Sequence, residues 1–195
     1  MNKLFYNDYK EMLMKALDSV DQESIHIVEQ KLSQMARFGY PVFVCGNGGS
    51  AAIAEHMSCD HTKGIITDTN LFPFIISLQS NVSLCSAIAN DVGYEQIFSY
   101  QINSCPLQNF VVLVISSSGN SPNIINALHS AKKRNVVSIA MVGFDGGKAK
   151  DIADICIHVK SDNYGVIEDA HQIIMHSIAQ SIRIDNATND AKLKL

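Results

Sequence analysis

The sequence predicts an α/β domain in which a parallel sheet is covered by helices on both faces. Short apolar runs rich in branched side chains alternate with longer segments of helical periodicity. The runs are apolar throughout, as expected for strands that are buried on both faces. Glycine- or serine-rich loops directly follow the first and third runs. Open α/β sheets bind ligands at such loops, so the fold class also indicates where a site would lie.

The elements follow one another along the chain in this alternation. Strands are predicted at residues 42–45, 72–78, 110–115, 136–142 and 155–159. Helices are predicted at 7–37 (capped or broken at 18–21), from about 50, and at 82–89, 97–102, 122–133 and 166–184. Ser121 as N-cap and Pro122 in the first turn fix the start of the helix at 122.

The N-terminal helical segment has a long apolar face, which includes Met12, Ala16, Val20, Val28 and Leu32 at helical spacing. Because the segment precedes the first strand, this face needs a partner surface. It can lie on its own domain or form an interface between subunits. The sequence leaves both alternatives open.

Length and composition favour one globular domain without nucleic-acid or membrane partners. The chain has 195 residues, a net charge of −4 and a pI near 5.9, which argue against a basic surface for nucleic acid or anionic lipid. Five scattered cysteines without a C-x-x-C pair favour a reducing compartment. No apolar run approaches the ~20 residues of a membrane span, and the polar N-terminus is unlike a signal peptide. We therefore expect a cytoplasmic protein.

A glycine-rich loop, GNGGS at residues 46–50, leads from the first strand into a helix. Glycine lets backbone N–H groups approach a ligand closely, and the helix N-terminus favours an anion. The pattern also satisfies the dinucleotide motif G-x-G-x-x-A, which requires an acidic residue at the end of the second strand. Asp68 has roughly that spacing but precedes the strand, so a nicotinamide enzyme is disfavoured.

The second loop, SSSGNS at residues 116–121, is a candidate phosphate site. An ordinary capped turn needs only one serine, whereas this loop has four, followed by a helix N-terminus. Neither loop contains Lys or Arg, so neutral donors must do most of the binding. A phosphomonoester therefore fits better than a triphosphate.

Two pairs of polar residues on helices are candidate metal ligands or acid/base groups. His56 and Asp60 share one helix face at i, i+4, and Glu168 and His176 are eight residues apart on the last helix. The spacing equally allows Glu168 to pair with His171, and ordinary amphipathic helices with solvated polar residues remain an alternative for the whole set. The other histidines, His26, His129 and His158, are expected to be surface or structural residues.

Five motifs in order give the chain a family resemblance. The CGNGGSAA loop, the H-x-x-x-acid pair, the Asn90-Asp91-x-Gly turn, the SSSGNSPN loop and the E-D-x-H-x-x-x-x-H helix resemble the sugar-isomerase (SIS) domain, and within it the phosphoheptose isomerase group. The resemblance covers about residues 5–185. It implies a flavodoxin-like three-layer α/β/α sandwich, a single domain over 1–195, with a helical arm at 1–38 in the subunit interface of a homotetramer and a frayed tail at 186–195. The active sites would lie between subunits.

The resemblance also implies the reaction and the residues that perform it. Sedoheptulose 7-phosphate would be isomerised to glycero-manno-heptose 7-phosphate through an enediol, for lipopolysaccharide or capsule precursors. Asp60 would be the base and His176 the acid, with one zinc ion per subunit. The resemblance places the zinc ligands at His56, Asp60, Glu168 and His176. It places the phosphate contacts at Ser116, Ser117, Ser118 and Ser121. The sugar contacts would be Asn47, Gly48, Gly49, Asp60, Asn90, Asp91 and Glu168.

Three positions depart from the family pattern. Asp60 stands where Glu is usual, Glu168 stands where Gln is usual, and the run 164–167 lacks the usual Arg. The extra negative charge at Glu168 should favour a dication. Two competing hypotheses are a non-catalytic SIS protein that binds a replication initiator, and an SIS sugar-phosphate sensor or a different sugar-phosphate enzyme. Metal-competent side chains at all four ligand positions argue against loss of catalysis.

Overall fold

Five apolar segments pair into one parallel sheet. A computed structural model describes residues 5–188, and its strands stand in the order β2-β1-β3-β4-β5, each neighbouring pair parallel, with Val44 of β1 opposite Leu113 of β3. The strands are β1 Pro41–Gly46, β2 Phe74–Ser77, β3 Val111–Ser116, β4 Val137–Val142 and β5 Ile155–His158. This is the flavodoxin-like order, so the predicted fold class is confirmed.

The helices connect the strands and cover the sheet. They are α1 Phe5–Asp18, α2 Gln22–Phe38, α3 Gly49–Cys59, α4 Val82–Asp91, α5 Ser99–Ser104, α6 Pro122–Lys133, α7 Gly147–Ile152 and α8 Tyr164–Asp185. A π-helical turn at Asp60–Gly64 extends α3, and a 3₁₀ turn at Tyr94–Gln96 follows α4. The sequence did not predict α7, which begins at a glycine and is six residues long.

Alternate residues of the strands feed two separate cores. Val44 and Leu113 face the layer formed by α1, α2, α3 and α8, whereas Cys45 and Val114 face the layer formed by α4 to α7. The central strands β1 and β3 are buried along their whole length. Burial on both faces explains why these strands read as continuous apolar runs.

The N-terminal helices lie on their own domain. Asp21 caps α2 by accepting hydrogen bonds from the backbone N–H groups of Glu23 and Ser24, so the predicted break at 18–21 is confirmed. The predicted apolar face packs against α8, with Ala16, Val28 and Leu32 among the core residues. Other side chains of α1 remain outside, and Phe5, Tyr6 and Met14 are 64%, 68% and 58% exposed.

The chain after α8 is held against the domain as far as it is described. Arg37 donates to Asn186 Oδ1 at 3.1 Å, and the N–H of Thr188 donates to the carbonyl of Asp68 at 2.8 Å. The rest of the segment predicted to fray, 189–195, lies outside the described residues. Within residues 5–188, no helix is both long and apolar enough to cross a membrane.

Candidate active site

The two predicted ligand loops lie side by side at one edge of the sheet. They follow β1 and β3, which are neighbours in the sheet, while β2 lies on the outer side of β1. Strand order therefore reverses between β1 and β3, which is the position where open α/β sheets bind ligands. The topology thus brings residues 46–50 and 116–121 to one place.

The first loop is open above Gly48 and covered at Gly49. Gly48 has φ +55° and no neighbour within 4 Å of a Cβ placed on it, so its backbone is accessible. Gly49 begins α3, and a side chain there would collide with the carboxylate of Glu168. Glu168 therefore lies at the N-terminus of α3, where the helix dipole favours a negative charge.

The second loop leaves hydroxyl groups without protein partners. Ser116 Oγ accepts from the N–H of Gly119 at 3.1 Å, and Ser118 Oγ accepts from the N–H of Asn120 at 3.3 Å. In contrast, Ser117 Oγ is buried and has no hydrogen-bond partner in the described part of the chain. Ser121 is the N-cap of α6, but its hydroxyl makes no capping hydrogen bond. Both hydroxyls can therefore bind a ligand.

A pair of asparagines joins the two loops. Asn47 and Asn123 exchange two amide hydrogen bonds of 2.9 and 2.8 Å, and Asn123 is buried at the start of α6. The hydroxyl of Tyr94 also donates to Asn47 Oδ1 at 3.0 Å. Sequence analysis missed Asn123 and Tyr94 because nothing in their local pattern marks a contact with the first loop. The pair fixes the separation between the glycine-rich loop and the serine loop.

The turn at the end of α4 is exposed. Asn90 donates to Asp91 Oδ1 at 2.8 Å, and both side chains point into solvent. The adjacent Tyr94 connects this turn to Asn47, so the turn borders the first loop. The structure gives Asn90 and Asp91 no contact with the histidine cluster described next.

His56, Asp60 and His176 form the main polar cluster. Asp60 Oδ2 lies 3.2 Å from His56 Nε2 and 2.9 Å from His176 Nε2, and the two rings meet edge to face with centroids 4.9 Å apart. Asp60 is the first residue of the π-helical turn that follows α3. Such turns often occur at functional sites because they change the direction of the side chains. The predicted pair His56 and Asp60 is brought together with His176 of α8.

Glu168 does not join this cluster. Helices α3 and α8 contact one another, and Glu168 meets Gly49, which lies seven residues or ~10 Å before His56 along α3. Glu168 and His176 are eight positions apart on α8, which at the helical rise per residue is ~12 Å. The predicted stretched pairing of Glu168 with His176 is therefore not formed in this structure.

Gln172 occupies the place between Glu168 and His176. Its side-chain amide nitrogen lies 2.9 Å from His56 Nδ1 and 3.0 Å from His176 Nε2. Sequence analysis missed this residue, although it stands four residues from both Glu168 and His176 on one face of α8. That spacing was the signal that could have identified it.

Three of the remaining histidines have structural surroundings, whereas His26 and His129 are exposed. His171 is buried, with Nε2 3.3 Å from the Val142 carbonyl, and burial lowers its pKa to about 4. The alternative pairing of Glu168 with His171 is therefore not formed. His61 is also buried, 3.0 Å from the carbonyl of Met175, and burial lowers its pKa to about 4. His158 lies 2.9 Å from the carbonyl of Phe144, as expected for a structural residue.

Comparison with known proteins identifies the family. Residues 5–143 match the SIS domain family, and the phosphoheptose isomerase of Helicobacter pylori strain 26695 is 33% identical over 184 residues, covering 89% of this chain and 90% of that protein. The chain belongs to the SIS-domain family of phosphoheptose isomerases. Among solved structures, a phosphoheptose isomerase from Francisella tularensis has a TM-score of 0.83 and 27% identity, covering 92% of this chain and 95% of that one. The enzyme from Neisseria gonorrhoeae gives 0.81 and 28%, with coverage of 91% and 94%.

In this SIS domain, the cluster has the chemistry of a metal site. One ligand atom each from His56, Asp60 and His176 lies within 4.8 Å of the others. Two imidazoles and one carboxylate are ligand types that zinc prefers, and catalytic zinc sites use three protein ligands with a position left for water or substrate. The three residues that the structure groups therefore fit a zinc ion without requiring Glu168.

Proposed function

We propose that this chain is an aldose–ketose isomerase that converts sedoheptulose 7-phosphate to D-glycero-D-manno-heptose 7-phosphate through an enediol. The product would serve as a precursor of activated heptose for lipopolysaccharide or capsule. The observation that carries the proposal is the cluster of His56, Asp60 and His176 in a phosphoheptose isomerase fold that also has two ligand loops at one edge of its sheet. A base, an acid and a phosphate site are the parts that this reaction needs.

The serine loop is proposed to hold the phosphate. Ser116, Ser117, Ser118 and Ser121 would contact it. Two hydroxyls support this role: the Oγ of Ser117 has no partner among residues 5–188, and that of Ser121 makes no capping hydrogen bond. The N-terminus of α6, a helix of 12 residues, adds backbone donors and a favourable dipole. Neutral donors of this kind suit a single phosphate group.

The sugar is proposed to lie between the loops and the cluster. Asn47, Gly48 and Gly49 would contact it from the first loop, with Asn90 and Asp91 at the exposed turn. Glu168, placed over Gly49, is proposed as a further sugar contact. A carboxylate at this position can accept hydrogen bonds from sugar hydroxyl groups.

Isomerisation moves one proton from C1 of the ketose to C2. Asp60 is proposed as the base: its Oδ2 contacts both histidines, which leaves Oδ1 as the oxygen to take the C1 proton. His176 is proposed as the acid that protonates the oxygen at C2 to form the enediol, and it then takes back a proton from the oxygen at C1, which becomes the aldehyde oxygen. The proton held by Asp60 is returned to C2, so no atoms are gained or lost.

His56, Asp60 and His176 are proposed to hold one zinc ion per subunit. When bound, zinc would supply Lewis acidity that polarises the substrate's carbonyl oxygen. A side chain bound to zinc is a poor acid or base, so Asp60 and His176 would hold the ion and carry the protons at different stages of the cycle. We further propose a cytoplasmic homotetramer with active sites at the subunit interfaces, supported by the exposed apolar side chains of Phe5, Tyr6 and Met14 on α1.

The experiment measures bound metal and conversion of sedoheptulose 7-phosphate together, with and without a chelator. Conversion that stops on chelation and returns with zinc supports the proposal. Asp60→Asn should lower turnover about a hundredfold or more while sugar-phosphate binding is retained. Asp151→Asn, at an exposed position of α7, is the matched control and should retain turnover. Binding without turnover by the wild-type chain would instead favour a sugar-phosphate sensor.

A further inference from the structure

The serine loop is tied by its backbone carbonyl groups to the segment 143–149, which runs from the end of β4 into α7. The carbonyl of Ser117 accepts from the N–H of Gly143 at 2.8 Å, and the carbonyl of Gly119 accepts from the N–H of Ala149 at 2.9 Å. A carbonyl oxygen that faced a phosphate would repel it, because both groups are hydrogen-bond acceptors. These two contacts hold the carbonyl oxygens on protein donors instead.

The side chain of Asn120 supplies the corresponding contact for the carbonyl of Ser118. Asn120 Nδ2 donates to that carbonyl at 3.0 Å, and Asn120 Oδ1 accepts from the N–H of Lys148 at 3.1 Å. A backbone carbonyl can only accept and a backbone N–H can only donate, so these two partners fix the orientation of the amide. A Cβ on Gly147 would collide with the Ser118 carbonyl oxygen and with the Asn120 amide, which shows that both groups lie directly against the segment 143–149.

The peptide group between Ser118 and Gly119 is the point at which the loop could change direction. Gly119 has φ +62°, and glycine adopts positive and negative φ at similar cost. Rotation of this peptide group would turn the carbonyl of Ser118 away from its present partner. The hydrogen bond from Asn120 opposes that rotation, as does the hydrogen bond from the N–H of Gly119 to Ser116 Oγ at 3.1 Å.

The segment 143–149 is itself fixed in place. Phe144 has φ +44°, a conformation that a residue with a Cβ adopts only where its surroundings hold it there. The N–H of Phe144 donates to the carbonyl of Ser161 at 3.0 Å, and its own carbonyl lies 2.9 Å from His158 Nε2. The segment can therefore serve as a support for the serine loop.

We propose that Asn120 is the positioning residue of the phosphate loop. Its amide joins the carbonyl of Ser118 to the N–H of Lys148 on α7, so that donors of the loop, and not this carbonyl oxygen, remain available to the phosphate. The inference rests on the proposed function in taking the serine loop as the phosphate site, but it does not require the isomerisation. It also gives α7, which the sequence did not predict, a role in ligand binding.

The test measures the binding of inorganic phosphate to the full chain from the NMR shifts of the loop's backbone N–H signals, a readout that is independent of activity. Asn120→Ala should raise the Kd for phosphate about tenfold, the effect expected from losing hydrogen bonds of ordinary strength. The matched control is Asn103→Ala on α5, another exposed asparagine, whose amide donates to Ser130 Oγ at 3.1 Å; its Kd should stay within about twofold of the wild type. Thermal unfolding checks that both variants fold.

Two further readouts separate positioning from a general loss of structure. Asn120→Ala should raise KM for sedoheptulose 7-phosphate about as much as the Kd for phosphate, with kcat within about threefold of the wild type. Exchange of the Lys148 N–H with solvent should become faster in this variant, because its acceptor is lost. Unchanged exchange would contradict the contact between the loop and α7.

Three results of the binding and kinetic measurements would overturn the inference. They are an Asn120→Ala variant that binds phosphate like the wild type, an equal loss of binding in Asn103→Ala, and a fall in kcat with KM unchanged. Conversion of the sugar phosphate by a wild-type chain whose serine loop does not respond to phosphate would also overturn it and leave the isomerase intact. Phosphate binding that depends on Asn120, without any conversion by the wild type, would support the inference and refute the isomerase.

Discussion

The asparagine pair between the two ligand loops can be tested by a double-mutant cycle. Asn47 and Asn123 share two hydrogen bonds, which at about 1 kcal/mol each contribute about 2 kcal/mol. Asn123 Oδ1 also accepts from the N–H of Ile124 at 3.0 Å, worth about 1 kcal/mol more. Asn47 Oδ1 likewise accepts from the hydroxyl of Tyr94 at 3.0 Å, so Asn47→Ala and Asn123→Ala should each lower the free energy of unfolding by about 3 kcal/mol.

The double variant should lose about 4 kcal/mol, because the shared interaction is lost only once, which gives a coupling energy of about 2 kcal/mol. Urea unfolding of the four proteins measures these values. Because Asn123 holds Asn47 of the first ligand loop, Asn123→Ala should also raise KM for the sugar phosphate more than it lowers kcat. A coupling energy below about 0.5 kcal/mol would refute the reasoning that this pair holds the loops together.

Three further predictions concern the second loop and the buried histidines. Gly119→Ala should destabilise the fold by about 3 kcal/mol or more in urea unfolding, because Gly119 has φ +62° and a Cβ there would collide with a backbone carbonyl. The control Gly64→Ala, at a position with open space, should cost less than about 1 kcal/mol. Equal losses in the two variants would contradict this. Ser117→Ala should leave stability unchanged or higher, because the hydroxyl has no partner among the described residues, but it should raise KM for phosphorylated sugars about tenfold. In contrast, Ser138→Ala, which loses a hydrogen bond to Asp154, should lower stability and leave KM unchanged. Burial lowers the pKa of His171 to about 4, so between pH 6.5 and pH 4 this residue binds a proton in the unfolded chain but not in the folded one. Stability should therefore fall by about 3 kcal/mol over this range because of His171. His171→Leu should flatten the slope of stability against pH in urea titrations, and an unchanged slope would contradict this.

Most of the fold was predictable because its signals are local. Strands that are buried on both faces are apolar throughout, so they stand out in the sequence. Helix α6 was predicted at 122–133, as observed, and Ser121 and Pro122 mark its start. Helix α7 was missed because it is six residues long and begins at a glycine. A tertiary contact supports it, since the N–H of Ala149 donates to the carbonyl of Gly119 at 2.9 Å.

The site was predictable to the extent that its residues share an element. His56 and Asp60 are four residues apart, so their pairing follows from helix geometry. Whether Glu168 or Gln172 meets them depends on how α8 lies along α3, and the sequence contains no direct signal of that alignment. The structure places Glu168 at Gly49 and Gln172 at the histidines. The residue type of Gln172 gave no signal either, because an amide is not among the common zinc ligands.

The most direct test of the isomerase proposal follows sedoheptulose 7-phosphate by proton NMR in D₂O with the zinc-loaded protein. The aldose product should carry solvent deuterium at C2, because the proton passes through the carboxylate of Asp60 and can exchange there. Asp60→Asn should abolish both product and exchange. No product and no exchange at C1 in the wild-type protein, with the sugar phosphate bound, would contradict the central claim.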